Sequence, residues 1–220
     1  MLSKYQEDLE KLYSRSYDFA KNIEEAFALV VGALESKNLD KLKEAKNMLK
    51  GSSKEESKID MRIIEILALY APEAKDLRRV VTLMKITSEF SRISDYITAQ
   101  IKTLTQEIVD EENIEGDGTR VTFYKSTHNA LKASVEIIKA KDESILNELI
   151  REVSIEESKC DDFVSIIEKE IISEICDNKN EISYFAKRLN SVRKMERISD
   201  RCVNIAKLRK YAIEGGKLKL

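Results

Sequence analysis

The sequence has no tryptophan, one proline, six glycines and a single histidine. Each scarcity closes off a class of protein. Few glycines and one proline rule out turn-rich β architectures and low-complexity linkers. One histidine, His128, cannot build a ferritin-like di-iron centre with its two Glu-x-x-His motifs, nor the multi-histidine zinc centres of hydrolases. His128 itself reads as a boundary residue of a helix rather than a ligand. The three cysteines, Cys160, Cys176 and Cys202, have no Cys-x-x-Cys spacing and read as buried free thiols of a reducing compartment. The longest apolar run, AFALVVGAL (26–34), is far short of a membrane span, so membrane insertion is not expected. The opening MLSKYQEDLEK carries charges where a secretory signal needs an apolar core, which gives a cytoplasmic expectation. Thirty-eight basic against 40 acidic residues leave no basic excess, so nucleic acid is not an expected partner.

What remains is rich in Glu, Lys, Ile and Leu, the composition of an all-α protein that buries its core by bundling helices. A first helical pattern runs from about Ser3 to Ser36, with Ile23, Ala26, Phe27, Val30, Val31 and Leu34 as its buried stripe. SKNLD (36–40) breaks it, and a second pattern reaches Tyr70, kinked or interrupted at GSS (51–53). Pro72 is expected in the first turn of a third helix that ends near Asp110. The acidic, glycine-containing EENIEGDGT (111–119) is a linker. Three further patterns follow, to about Ala140, to about Cys176, and from about Asn180 to Ile213. Phe123 is expected in the core and Tyr124 on the surface. RISD occurs at 92–95 and 197–200, and EESKID (55–60) matches EESKCD (156–161). The expected architecture is therefore a duplication: a first three-helix bundle over 1–112, a linker at 113–118, a second bundle over 119–214 and a frayed tail at 215–220.

The repeat carries a set of acids. In RKMERISDRCVNIAKL (193–208), Glu196, Asp200 and Asn204 are spaced at i, i+4 and i+8 and share a helix face with Leu189, Val192 and Val203. Forty acids in 220 residues yield about seven acid pairs at i, i+4 by chance, so one pair means little. The same set in both halves means more. The second half offers Glu157, Asp161, Glu181, Glu196 and Asp200; the first offers Glu56, Asp60, Asp76 and Asp95. Converging carboxylates are the ligand set of a hard cation, or of iron or manganese. Arg78, Arg79, Arg92, Arg193, Arg197 and Arg201 lie on the same helices, so ion pairs across the bundle would also explain the acids, and isolated acid clusters are more often paired than metallated. Both readings stand on the sequence alone. Nothing in it assembles a nucleophile with a base.

The stretches APEAKDLRRVVTLMKITSEFSRISDYI (71–97) and VRKMERISDRCVNIAKL (192–208) resemble the PhoU family, with its P-x-A-x-D-L-R segment and its E-R-I-[GS]-D-x-x-x-N-I-A segment. The resemblance covers the whole chain in length, duplication and motif order. It implies two tandem pseudo-symmetric three-helix bundles and surface carboxylates that hold divalent or trivalent metal ions such as Fe, Mn, Mg or Zn. The implied ligands are Glu157, Asp161, Glu181, Glu196 and Asp200 in a stronger site and Glu56, Asp60, Asp76 and Asp95 in a weaker one, with Asn204, Arg78, Arg92 and Arg197 in support. The first copy departs from the pattern: Ser91 stands where the family has glutamate, and Ala99 where the second copy has Asn204. The implied function is regulation rather than catalysis. The chain would be a negative regulator of phosphate uptake and starvation signalling, an adaptor between a phosphate ABC transporter ATPase and a sensor histidine kinase, with homodimerisation as a further association. An accessory role to a low-affinity phosphate permease and a carboxylate-metal hydrolase are the alternatives.

Overall fold

Apolar residues recurring at three and four wind the chain into seven α-helices among the residues that the computed structural model describes, 2–110, 118–177 and 182–215. They are α1 (Leu2–Ser36), α2 (Leu39–Leu49), α3 (Ser52–Tyr70), α4 (Ala74–Val109), α5 (Gly118–Lys139), α6 (Glu143–Asp177) and α7 (Ile182–Glu214). Helices α1, α2–α3 and α4 form one three-layered bundle; α5, α6 and α7 form the other. The all-α duplicated architecture is thus as the repeat predicts, with the first bundle's middle helix in two pieces. Most of the expected linker, 111–117, lies outside the described residues, as do 178–181 and 216–220.

Local chemistry sets the breaks. Asn38 caps α2, its Oδ1 accepting from the amides of Asp40 (2.8 Å) and Lys41 (3.3 Å). The interruption at GSS comes from Gly51, whose φ of 93° lies in the left-handed region that a side chain resists. Pro72 is not in a first turn. Residues 71–73 are non-helical, Glu73 is the N-cap, and α4 starts at Ala74. Ala71, at φ 40° and ψ 54°, turns left-handed just before the proline and closes α3 at Tyr70, its amide donating to the Leu67 carbonyl.

The predicted stripe of α1 is buried throughout, and α4 brings Phe90, Ile93, Ile97, Ile101 and Leu104 into the same core. Each such side chain contributes about 1.5–3 kcal/mol of burial. The second bundle centres on Phe123, Leu131, Val153, Ile171, Phe185, Met195, Ile198 and Ile205. Cys160 and Cys202 are buried free thiols, pushed up by burial to about 11 and about 12. The side chain of Cys176 is outside the described residues.

The bundles meet through two helix pairs, α1 with α5 and α4 with α7. Both run antiparallel: Glu89 bonds to Arg201 and Gln100 to Ser191, while Tyr17 bonds to Glu136 and Glu24 to His128. The seam is polar and buried. Gln100 Nε2 donates to the Ser191 carbonyl (2.6 Å), and its Oε1 accepts from Ser191 Oγ (2.7 Å) and from the Tyr124 hydroxyl (3.0 Å). Tyr124, expected at the surface, is only 1% exposed. Its ring belongs to the core and its hydroxyl is satisfied inside it, which a helical period read from one segment does not reveal. Arg120 donates to Glu107 (2.8 Å) beside this triad. Arg209, itself buried, donates to the Ala140 carbonyl (2.9 Å) and to the Tyr13 hydroxyl (3.2 Å).

His128 is the boundary residue expected of it. Its Nε2 bonds Glu24 Oε1 at 2.6 Å, and its ring meets Phe27 edge-on. Burial by itself raises the Glu24 carboxyl, but bonds from His128 and Lys21 overcome it and hold the group at about 2.

Replacing Gln100 by Leu keeps the volume and strands the Tyr124 hydroxyl and the Ser191 groups in the dry seam. The expected loss in urea unfolding is about 2–3 kcal/mol. A loss under about 0.5 kcal/mol, the range of an ordinary surface change, contradicts a structural role for the amide.

Candidate functional site

The acids of the second bundle stand on α6 and α7, which pack against each other. Glu157 and Asp161 lie one turn apart on α6, and Glu196 and Asp200 one turn apart on α7. The two helices are antiparallel, since Glu168 pairs with Arg193 (3.4 Å) and, further along α6, Glu174 pairs with Arg188, earlier on α7. That register carries Asp161 towards Asp200 and Glu157 towards Asn204.

The electrostatics agree. Partial burial raises Asp200, and the Asp161 charge raises it further, against Arg197, Arg201 and Lys207. Burial raises Glu157, with Asp161 and Asp200 adding to it. Burial raises Glu196, with Asp200, Asp161 and Glu168 adding. Four carboxylates therefore share one face and repel one another. Glu181, the fifth expected member, lies outside the described residues.

The face is a rim and not the apolar stripe itself. Val192 is buried, but Leu189 and Val203 are half-buried, as are Glu196 and Asn204, and Asp200 is exposed. The buried line of α7 runs through Met195, Ile198, Cys202 and Ile205. Met195 is one residue back from Glu196, about 100° round the helix. The acids thus flank the core and keep access to water.

The arginines do not take these acids as direct partners. Arg193 pairs with Glu168, and Arg201 reaches across the seam to Glu89 at 2.6 Å. Among the described residues Glu157, Asp161, Glu196 and Asp200 form no ion pair, and neither do Arg78, Arg92 and Arg197. Nor are three Asp, Glu, His or Cys side chains among them gathered closely enough to hold a metal ion. The donor set suits a hard cation in charge and chemistry. Its side chains do not close a ligand shell as they stand.

The first bundle repeats only part of this. Glu56 and Asp60 lie one turn apart and half-buried on α3. Burial raises Asp60, with the Glu56 charge adding, and its Oδ1 is buried without a hydrogen-bond partner. Asp76 instead faces Arg79 (3.4 Å), and its charge helps to raise the half-buried Tyr5. Asp95 is exposed, and Ser91, at the position of the missing glutamate, is buried. Arg78 points elsewhere, with its guanidinium against Gly215 at the end of α7.

The family model for the PhoU domain matches residues 17–103 and 123–208, one match in each bundle. The chain is 20% identical over 219 residues to the phosphate-specific transport system accessory protein PhoU homolog of Deinococcus radiodurans, covering 96% of each. It is 24% identical over 211 residues to the phosphate-specific transport system accessory protein PhoU of Edwardsiella tarda, covering 94% of this chain and 84% of that one. Crystal structures of PhoU from Pseudomonas aeruginosa and of the phosphate transport system regulatory protein PhoU from Streptococcus pneumoniae superpose with TM-scores of 0.86 and 0.83. They cover 96% and 98% of this chain and all of theirs, at 20% identity in both cases, so the likeness shows the fold.

The raised carboxylates bind protons more readily folded than unfolded, so their repulsion costs stability once pH rises above their folded values, and acid relieves it. In chelator at neutral pH, the double change Glu196→Gln with Asp200→Asn is expected to stabilise by roughly 0.2–0.5 kcal/mol for each like-charge pair relieved. The gain should shrink as pH falls to the range where these carboxyls protonate. Thermal melts at several pH values check both; destabilisation at neutral pH would show that the acids are ion-paired after all.

Proposed function

Because the chain belongs to the PhoU family, we propose that it is a cytoplasmic negative regulator of phosphate uptake and phosphate-starvation signalling, acting without catalysis. In this reading it is an adaptor between a phosphate ABC transporter ATPase and a sensor histidine kinase. The observation that carries the reading is the pair of PhoU domain matches, one in each bundle. The curated relatives, named as accessory proteins of phosphate-specific transport, supply the system.

The physical support is of two kinds. An adaptor needs two surfaces, and both bundles leave apolar side chains in water on their middle helix: Met61, Ile64 and Leu69 on α3, and Ile155, Ile166 and Ile172 on α6. It also needs a rigid body between them, which the buried seam provides. Among the described residues no helix is long and apolar enough to cross a membrane, and in this reading a membrane-bound partner is met from outside the bilayer.

The acidic face belongs to the same proposal. Glu157, Asp161, Glu196 and Asp200, with Glu181 from the sequence, would hold a divalent or trivalent ion. Such an ion would neutralise their mutual repulsion and tie α6 to α7. The buried, unpartnered Oδ1 of Asp60 supports reading Glu56 and Asp60 as part of a weaker site.

Two outcomes test this. Manganese should raise the melting temperature of the wild type by mass action, and the Glu196→Gln, Asp200→Asn protein should lose most of that gain. Asp95→Asn should lose little of it. Equal responses in wild type and double mutant would remove the ion from the proposal. Deleting the gene should switch on phosphate-starvation transcripts in phosphate-rich medium, measured by quantitative PCR. Unchanged transcripts would overturn the regulatory reading.

A further inference from the structure

At the end of the seam furthest from Gln100, α4 begins and α7 ends, and the two helices leave a groove of about 390 Å³ between them. Its apolar lining is Leu77 and Val81, one turn apart on α4 and 42% and 38% exposed, with Tyr211 of α7 opposite. Thr82 forms the buried floor. The rim is cationic. Arg78 lies beneath Gly215, where a Cβ would stand 3.2 Å from its Cζ, and Lys85 extends the rim one turn beyond Val81.

Neither cation has an ion-pair partner among the described residues. Of the nearby acids, Asp76 pairs with Arg79 and Glu214 with Lys210, while Glu73, the N-cap of α4, is exposed to water. Arg78 Nε is buried with no hydrogen-bond partner among the described residues. The groove therefore combines exposed apolar area with unmatched positive charge.

We propose that this groove docks a short acidic amphipathic segment of another protein, with two apolar side chains a helical turn apart set on Leu77, Val81 and Tyr211. Carboxylates flanking those side chains meet Arg78 and Lys85. The volume suits one or two side chains. Two cations are fewer than the cluster of about 4–8 that an anionic lipid surface calls for. The proposal stands on the chemistry of the groove and does not need the acidic face or the phosphate response.

The test is fluorescence anisotropy on the full chain. The probe is a labelled helical peptide with two leucines one turn apart and glutamates on the flanking turns. Its twin has every glutamate replaced by lysine. The acidic peptide should bind saturably, and the lysine twin about tenfold or more weakly. Lys85→Gln and Leu77→Asn change exposed side chains and should each weaken the acidic peptide several-fold, while Lys169→Gln on α6 leaves it unchanged. Arg78→Gln should act in the same direction, provided its circular dichroism melt matches the wild type. Absence of saturable binding, equal binding of the twin, or indifference to both Lys85→Gln and Leu77→Asn overturns the proposal. So does sedimentation in which the wild type dimerises and Leu77→Asn is monomeric, since a second copy would then cover the groove.

Discussion

A buried amide holds the two halves in register. Gln100 is fully buried, and its oxygen and nitrogen are both bonded, to Ser191 on α7 and to Tyr124 on α5. One side chain of the first bundle thus fixes two helices of the second. Apolar packing between long helices tolerates a slide of one turn better than a fully bonded amide does, because the slide would leave three buried polar groups unmatched. The peripheral bonds from Glu89, Glu24 and Tyr17 add to the same alignment. The seam turns a duplicated sequence into a single body, and the outer helices α3 and α6 are positioned by it.

Little of that seam was legible beforehand. The helices and the duplication were, because they rest on short-range signals: apolar spacing, breaks at Lys37–Asn38 and Gly51, and two copies of RISD. Gln100 and Tyr124 carry polar atoms, and a single-helix reading sends polar atoms to water. Their burial depends on what the other bundle brings opposite them, which no local period contains. The same limit misplaced Pro72 by two residues. Pro72 sits instead between a left-handed Ala71 that ends α3 and an extended Glu73 that caps α4, a chain reversal that the helix-start preference of proline does not contain.

The acidic face was legible as a face but not as a site. Spacing at i, i+4 put each pair on one side of its helix, and the antiparallel packing of α6 on α7 brought the pairs together as the repeat suggested. What spacing could not supply is the distance across the helices, nor the engagement of the arginines. Arg193 and Arg201 were candidates for neutralising Glu196 and Asp200, yet they bond Glu168 and Glu89. In the first bundle Asp76 pairs with Arg79, and Asp95 is exposed as its counterpart Asp200 is.

The seam and the acidic face share one side chain. Arg201 follows Asp200 in sequence, lowers that carboxyl through space, and donates to Glu89 across the bundles at 2.6 Å while its guanidinium lies over the Tyr96 ring. A guanidinium held by a hydrogen-bonded carboxylate is already largely compensated, so its pull on a second, more distant acid is small. Asp200 remains raised beside two arginines chiefly because its partial burial, and then the Asp161 charge, outweigh them. The bundle interface takes up one of the cations beside the rim, Arg201, through Glu89.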